Sequence, residues 1–356
     1  MTVANLPSSP GGVALGRNVD TVVGVVDTLT TSPVCALLVA ANALMRGALA
    51  SPWVGAYAAL FAARAGSAWL QRRRLAARGP VDWAKQVILV TGGSHGIGLS
   101  LVQKLAKTGA RVAVVSLAPM PEPAPSSVTQ YLCDLADAQA LEDVVDSVER
   151  ELGPVTMLVN NAGTVCPLLV SEQSAADVER VARVNFVAPM LLTRRVLPAM
   201  LRPECARAHI VFVASVLAYI GVPQLATYTA SKAGVALFQE SLSLELRHRL
   251  DVGGRVRSTA VFPSKVASGM FGGLDLPQWL SPELEPELVA DAIFCALRDG
   301  TDGEICLPVF AMVAPLYMCL PRAGRRLVHW LGNSLDSMRS FRGHEKPEVF
   351  QPPLSK

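Results

Sequence analysis

Thr91-Gly92-Gly93-Ser94-His95-Gly96-Ile97-Gly98 is the stretch that decides the fold. It follows a short apolar run at 86–90 and opens a segment with helical periodicity at 99–107. Glycine serves there in three ways. Gly92 permits a tight turn, Gly96 lets backbone approach a pyrophosphate, and Gly98 lets the helix pack on the strand. Glycine-rich turns are common in loops, so the string gains its weight from lying between a buried strand and an amphipathic helix.

Strand and helix signals alternate from residue 81 to about 305. Further buried-strand patterns fall at 111–116, 129–133, 155–160, 209–214, 256–262 and 304–307. Helical periodicity marks 138–152, 175–201, 227–250 and 286–297. Seven strands joined by right-handed crossovers predict an α/β fold, a doubly wound parallel Rossmann sheet.

Composition narrows the rest. The chain has 356 residues, 51% of them hydrophobic and only 17% charged, which excludes a disordered, collagenous or nucleic-acid-coating protein. The net charge is +3, but residues 1–80 hold seven arginines against two aspartates, so the excess sits in the leader. Seven scattered cysteines without a CxxC pair read as reduced thiols in a cytosolic setting. The five histidines show no metal-ligand spacing, and no metal is expected.

Two flanking regions depart from the central pattern. Residues 33–45 and 47–63 are uncharged, separated by Arg46, and 65–70 follows Arg64 ahead of Arg72, Arg73, Arg74 and Arg78. These runs are short for a bilayer span of about 20 residues, and Pro52 interrupts the second. The segment from about 33 to 70 therefore reads as membrane- or lipid-surface-associated, with a helical hairpin packed on the body as the alternative. On insertion the arginine cluster stays cytosolic, and so does everything after it. In the tail, 305–321 carries no charge but three prolines, and Arg322, Arg325 and Arg326 follow with Leu327, Trp330 and Leu331. That suits an apolar patch lying on a membrane, or an arm covering the substrate site, and both can hold.

Three observations point to chemistry. Tyr228 and Lys232 lie four apart on a helix and share a face, so the ammonium is expected to lower the tyrosine pKa. Ser215 ends an apolar strand, where strand tips meet the ligand crevice, although a strand-end hydroxyl also satisfies turns. Asn185 lies inside a long helix among Val181, Val184 and Phe186, where it needs polar partners.

Together these residues resemble the short-chain dehydrogenase/reductase superfamily over about 84–307. Thr91-Gly92-x-x-x-Gly96-x-Gly98, Cys133-Asp134-Leu135, Asn160-Asn161-Ala162-Gly163, Asn185, Ser215 and Tyr228-x-x-x-Lys232 follow the family's order and spacing. The resemblance implies Tyr228 as catalytic acid/base and Ser215 as the group polarising the substrate oxygen. Lys232 would depress the tyrosine pKa and hold nicotinamide ribose, and Asn185 would hold a water relaying protons to Lys232. It also implies a cofactor cleft formed by Gly92, Ser94, His95, Gly96, Ile97, Gly98, Ser116, Asp134, Leu135, Asn161, Ala162, Gly163, Tyr228, Lys232, Pro263, Val266 and Ser268. Asp134 would meet adenine, and Val266 and Ser268 the carboxamide.

A finer resemblance, to the branch of retinol dehydrogenases and lipid-droplet 17β-hydroxysteroid dehydrogenases, rests on Ile220-Gly221-Val222-Pro223, Glu285-Pro286-Glu287-Leu288-Val289-Ala290-Asp291 and Asn333-Ser334-Leu335-Asp336-Ser337-Met338. That branch carries an N-terminal membrane-associated segment followed by basic residues. Two departures stand out. Pro263-Ser264 replaces the family's Pro-Gly, and Ser116-Leu117 replaces the acidic residue of NAD-preferring members. The cofactor is therefore NADP or NAD, with a lean to NADP(H).

The expected organisation is a leader at 1–80, a Rossmann domain at 81–307 with a substrate loop at about 264–285, and an extension at 308–356. The expected activity interconverts a lipophilic alcohol and its carbonyl, such as a retinoid or steroid. Met270, Phe271, Leu274, Leu276, Trp279 and Leu280 would form one apolar wall, and Tyr219, Ile220 and Leu225 the other. The alternatives are reduction of a keto-sphingoid base and a non-enzymatic lipid-droplet scaffold. The expected partners are the lipophilic substrate and a membrane or droplet surface, with a homodimer allowed and nucleic acid excluded. The expected location is the endoplasmic reticulum or lipid droplet, with the catalytic domain facing the cytosol.

Overall fold

The computed structural model describes residues 79–338, apart from positions 251, 253, 275 and 277–280, together with position 341. The leader at 33–70, Trp279 and Leu280 lie outside the described residues.

Seven parallel strands form one sheet in the order β3-β2-β1-β4-β5-β6-β7. They are β1 (Val87–Thr91), β2 (Arg111–Ser116), β3 (Val128–Leu132), β4 (Met157–Asn160), β5 (Ala208–Val213), β6 (Val256–Pro263) and β7 (Gly303–Leu307). β1, β4 and β5 are buried at every position, which is why their sequences read as continuous apolar runs rather than alternations. β1 pairs with β2 on one side and β4 on the other. Strand order reverses there, so the connections leave in opposite directions and open a crevice at the strand tips.

Helices cover both faces. α1 (Gly96–Leu105) and α6 (Pro286–Asp299) bury Leu101, Leu105, Ile293 and Leu297 against Ile88, Val90 and Val112. On the other face lie α2 (Ala138–Leu152), α4 (Ala188–Leu201) and α5 (Ala226–His248). Asp137 starts α2 by accepting from the amides of Gln139 and Ala140. A Ser174–Asp177 capping box starts α3 (Ala175–Ala182).

The single helix expected over 175–201 is interrupted. Arg183–Val187 forms a π-turn between α3 and α4, and that widened turn presents Asn185 to Thr164. By length and composition alone, 175–201 is apolar enough to cross a membrane. Its Ala188, Leu192, Val196 and Met200 are buried in the core of the body, which accounts for that composition.

After β7 the tail forms a 3₁₀ segment, Val309–Cys319, and then α7 (Arg322–Leu331). The Tyr317 hydroxyl and His329 Nε2 lie 2.8 Å apart. Arg325 donates to the carbonyls of Leu320 and Met318, at 3.0 and 2.6 Å, and stacks over the Tyr317 ring. Beyond α7 the chain turns inward, and Ser337 and Met338 are buried.

Candidate active site

The glycine string folds onto itself and onto the loop after β4. A Cβ on Gly98 would lie 2.2 Å from the Gly92 carbonyl oxygen, so no side chain fits there. Gly96 has φ +50°, and a Cβ on it would meet Ser268 at 2.9 Å. Thr91 ties this loop down: its hydroxyl accepts from the amides of Asn161 and Ala162, at 3.0 and 3.1 Å, and donates to the Val159 carbonyl. The Asn161 amide returns the bond by donating to the carbonyls of Thr91 and Gly92. A strand-end threonine shows such partners only once β1 and β4 are adjacent, so the motif alone does not mark Thr91.

The strand tips enclose a cleft of about 370 Å³. Gly92, Ser94, His95, Gly96, Ile97, Ser116, Asp134, Leu135, Asn161, Ala162, Gly163, Ser215, Tyr228, Lys232, Pro263, Val266 and Ser268 all line it. Of the expected residues, Gly98 lies beneath the loop and Asn185 behind the wall. Leu117, Ala118, Arg180, Met270 and Phe271 also line the cleft, and of these the sequence singles out neither Ala118 nor Arg180. Arg180 pairs with Asp134 at 3.1 Å.

Ser116 lines the wall, but its hydroxyl is already engaged. It lies 2.6 Å from the Ser94 hydroxyl and donates to the Ala118 carbonyl at 2.8 Å. The residue beside it, Leu117, is the one exposed to the cleft.

At the far end, Ser215 does both things its position allowed. Its Oγ accepts from the Leu217 amide at 3.1 Å, capping the turn after β5, and also hydrogen-bonds Tyr228. Tyr228 and Lys232 are both buried. Lys232 donates from Nζ to the Val213 carbonyl at 2.8 Å and lies 5.8 Å from the Tyr228 ring centroid. The expected lowering of the tyrosine pKa is reversed: burial pushes the phenol up to about 12, and the Ser215 hydrogen bond pulls back less. Burial also brings Lys232 down to about 8.

Asn185 has the polar partners that its buried position requires. Its Oδ1 accepts from the Thr164 amide at 2.7 Å, and its Nδ2 donates to the Thr164 carbonyl and to the Ser231 hydroxyl. Ser231 in turn donates to the Tyr228 carbonyl at 2.7 Å. Asn185 thus clamps the loop after Gly163 to the helix that carries Tyr228.

Tyr228 also belongs to an apolar cluster. Val222, Leu225, Leu274 and Met338 are buried with it, and Val165, Leu217, Phe271, Leu276 and Phe341 pack around them. Phe271 meets the Tyr228 ring edge-on at 5.4 Å. Tyr219 is elsewhere: it packs on Phe262 and interacts with Glu304 in the main core, so it lines neither cleft nor chamber.

The short chain dehydrogenase family profile matches residues 86–278, more than half of the chain. The chain belongs to the short-chain dehydrogenase/reductase family. Human short-chain dehydrogenase/reductase 3 is 30% identical over 275 residues, covering 74% of this chain and 88% of the relative. Bovine short-chain dehydrogenase/reductase family 16C member 6 is 31% identical over 243 residues, 65% and 75% of the two chains. The 3-oxoacyl-[acyl-carrier-protein] reductase MabA of Mycobacterium tuberculosis is 32% identical over 188 residues, 53% and 72%. The first two of these relatives agree with the retinol dehydrogenase-like branch read from the sequence. The protein is an NAD(P)-dependent oxidoreductase, which removes the scaffold alternative. The residues present fit that cofactor: the glycine turn, with Gly92 and Gly96, lines the same cleft that runs from Asp134 to Tyr228.

Proposed function

We propose that this enzyme interconverts a lipophilic alcohol and its carbonyl, with Tyr228 carrying the proton. The observation that supports this most is the double membership of Tyr228, which lines the cofactor cleft and is packed within an apolar chamber. Bound NAD(P)H supplies the hydride in the reductive direction. The Tyr228 hydroxyl donates its proton to the substrate oxygen, and the Ser215 hydroxyl hydrogen-bonds the same oxygen. Lys232, cationic below about pH 8, offsets the negative charge left on the phenol oxygen. Asn185 is a positioning residue that holds the Gly163 loop against α5.

The cofactor reading leans to NADP(H). Positions 116 and 117 carry no carboxylate, and that of Asp134 is paired with Arg180, so a 2′-phosphate meets no free negative charge. For location, the leader at 33–70 and the arginines that follow support attachment to the endoplasmic reticulum or a lipid droplet. Retinoids and steroids are the leading substrate classes, by the branch resemblance. The second is a long-chain keto lipid such as a keto-sphingoid base, in keeping with a relative, MabA, that is a 3-oxoacyl-[acyl-carrier-protein] reductase.

The test is purified protein with each cofactor, screened against retinoids, steroids and long-chain keto lipids. Turnover of an apolar substrate, and none of short polar alcohols, is expected. Cofactor binding without turnover of any of the three classes would overturn the reading.

A further inference from the structure

We infer that residues 309–335 form a second lipid-contacting face, fitted to an anionic phospholipid surface and placed beside the substrate chamber. The inference extends the lipid-surface part of the proposed function and rests on it only for the kind of surface involved.

The first observation is where apolar exposure concentrates. Eight of the eighteen exposed large hydrophobic side chains among the described residues fall within 312–335. Trp330 is 73% exposed and Leu316 62%. A folded body seldom shows water so many large apolar side chains within one short segment without a use for them.

The second is charge. Residues 305–335 contain no aspartate or glutamate. On α7, Arg322, Arg326 and Trp330 recur every fourth residue along one row, and Leu327 and Leu331 occupy the adjacent row. Arg322 and Arg326 are exposed, and no carboxylate among the described residues pairs with either. Arginines bordering an apolar row suit a helix lying at the headgroup boundary, with guanidiniums reaching phosphates and Trp330 entering the acyl region. A protein partner would need a matching acidic rim, whereas an anionic leaflet supplies that charge everywhere.

The third is the chain's path. The exposed Leu335 lies three residues before Met338, which is buried against the cluster that holds Tyr228. A lipid contact at α7 would therefore put the chamber next to the phase that dissolves its substrate. The Tyr317–His329 contact and the Arg325 bonds hold the segment together as a unit.

The test uses the full chain, because the leader is proposed to bind lipid as well. Tryptophan fluorescence is read with phosphatidylcholine–phosphatidylserine vesicles carrying brominated acyl chains, for the parent, Trp330→Phe and Arg322→Glu/Arg326→Glu. The quenched fraction should drop in Trp330→Phe. The double charge reversal should weaken partitioning at low salt by about fivefold per arginine, a loss that fades at high salt. An unchanged quenched fraction in Trp330→Phe overturns the inference even if the leader binds. It is equally overturned if Trp330 stays open to an aqueous quencher at saturating vesicles, which would leave the face to a protein partner. A far-UV circular dichroism spectrum and a thermal midpoint matching the parent's show that the variants fold. A parent that shows the quenching but turns over nothing refutes the proposed activity and leaves this face standing.

Discussion

At the cofactor end of the cleft, Thr91, Asn161, Ser94 and Ser116 are tied by directional hydrogen bonds, and Gly98 touches the Gly92 carbonyl oxygen so closely that nothing else fits. At the substrate end, Tyr228 is surrounded by Val222, Leu225, Leu274 and Met338, drawn from separate stretches of chain and held by packing. The difference is one of tolerance. Directional bonds and backbone contacts admit few side chains at each position, whereas apolar packing accepts many if volume is kept. One end can therefore stay fixed for a common cofactor while the other is reshaped for a particular substrate.

Gly98→Ala should have the largest effect of the changes aimed at this contrast. The Gly92 backbone cannot move aside, so about 3 kcal/mol should be lost, seen as a roughly hundredfold weaker cofactor affinity by titration or an equivalent drop in stability. Near-parental values for both would show that the cofactor end is as adaptable as the substrate end.

Met338→Ala should cost about 2 kcal/mol of stability through the cavity it leaves. Its kinetic signature should be a raised KM for bulky apolar substrates with cofactor affinity unchanged. A change confined to cofactor affinity would place the tail at the wrong end of the cleft.

Leu117→Asp is the smallest and sharpest. A carboxylate at this exposed position should accept the ribose hydroxyls and repel a 2′-phosphate, moving the kcat/KM ratio toward NAD(H) by about tenfold. Ser116→Asp should instead weaken both cofactors, because its carboxylate would face the Ala118 carbonyl in a buried network. Equal behaviour of the two variants would mean that the adenosine ribose lies elsewhere.

The same contrast explains what could be read from sequence. The glycine string, the continuous apolar strands and the Tyr228–Lys232 pair are local signals, and each expected strand end is met within one residue, bar the start of β4, which comes two residues later. The chamber was legible only in part. Phe271, Leu274 and Leu276 lie in one loop and were anticipated, while Met338 is brought in by a tail whose path no local pattern records. Tyr219 misled because an aromatic near a strand end suits core or cleft equally, and only the neighbouring Phe262 and Glu304 decide. Ser116 does line the cleft, but its hydroxyl partners come from the β1–α1 loop and from the turn that follows it. The direction of the tyrosine pKa is hidden in the sequence for a related reason. The spacing shows the ammonium, but not that both groups are buried.

The central claim is that Tyr228 moves the proton under the influence of a buried Lys232, and the direct measurement is carbonyl reduction against pH for the parent and Tyr228→Phe. The phenol, held up at about 12, keeps its proton across the range, while Lys232 loses its charge as pH rises through about 8. The parental rate should therefore be level below that pH and fall above it. Tyr228→Phe should lose about a hundredfold or more in kcat at every pH while still binding cofactor. A variant that keeps more than about a tenth of parental kcat, a loss under ~1.4 kcal/mol, would contradict the account.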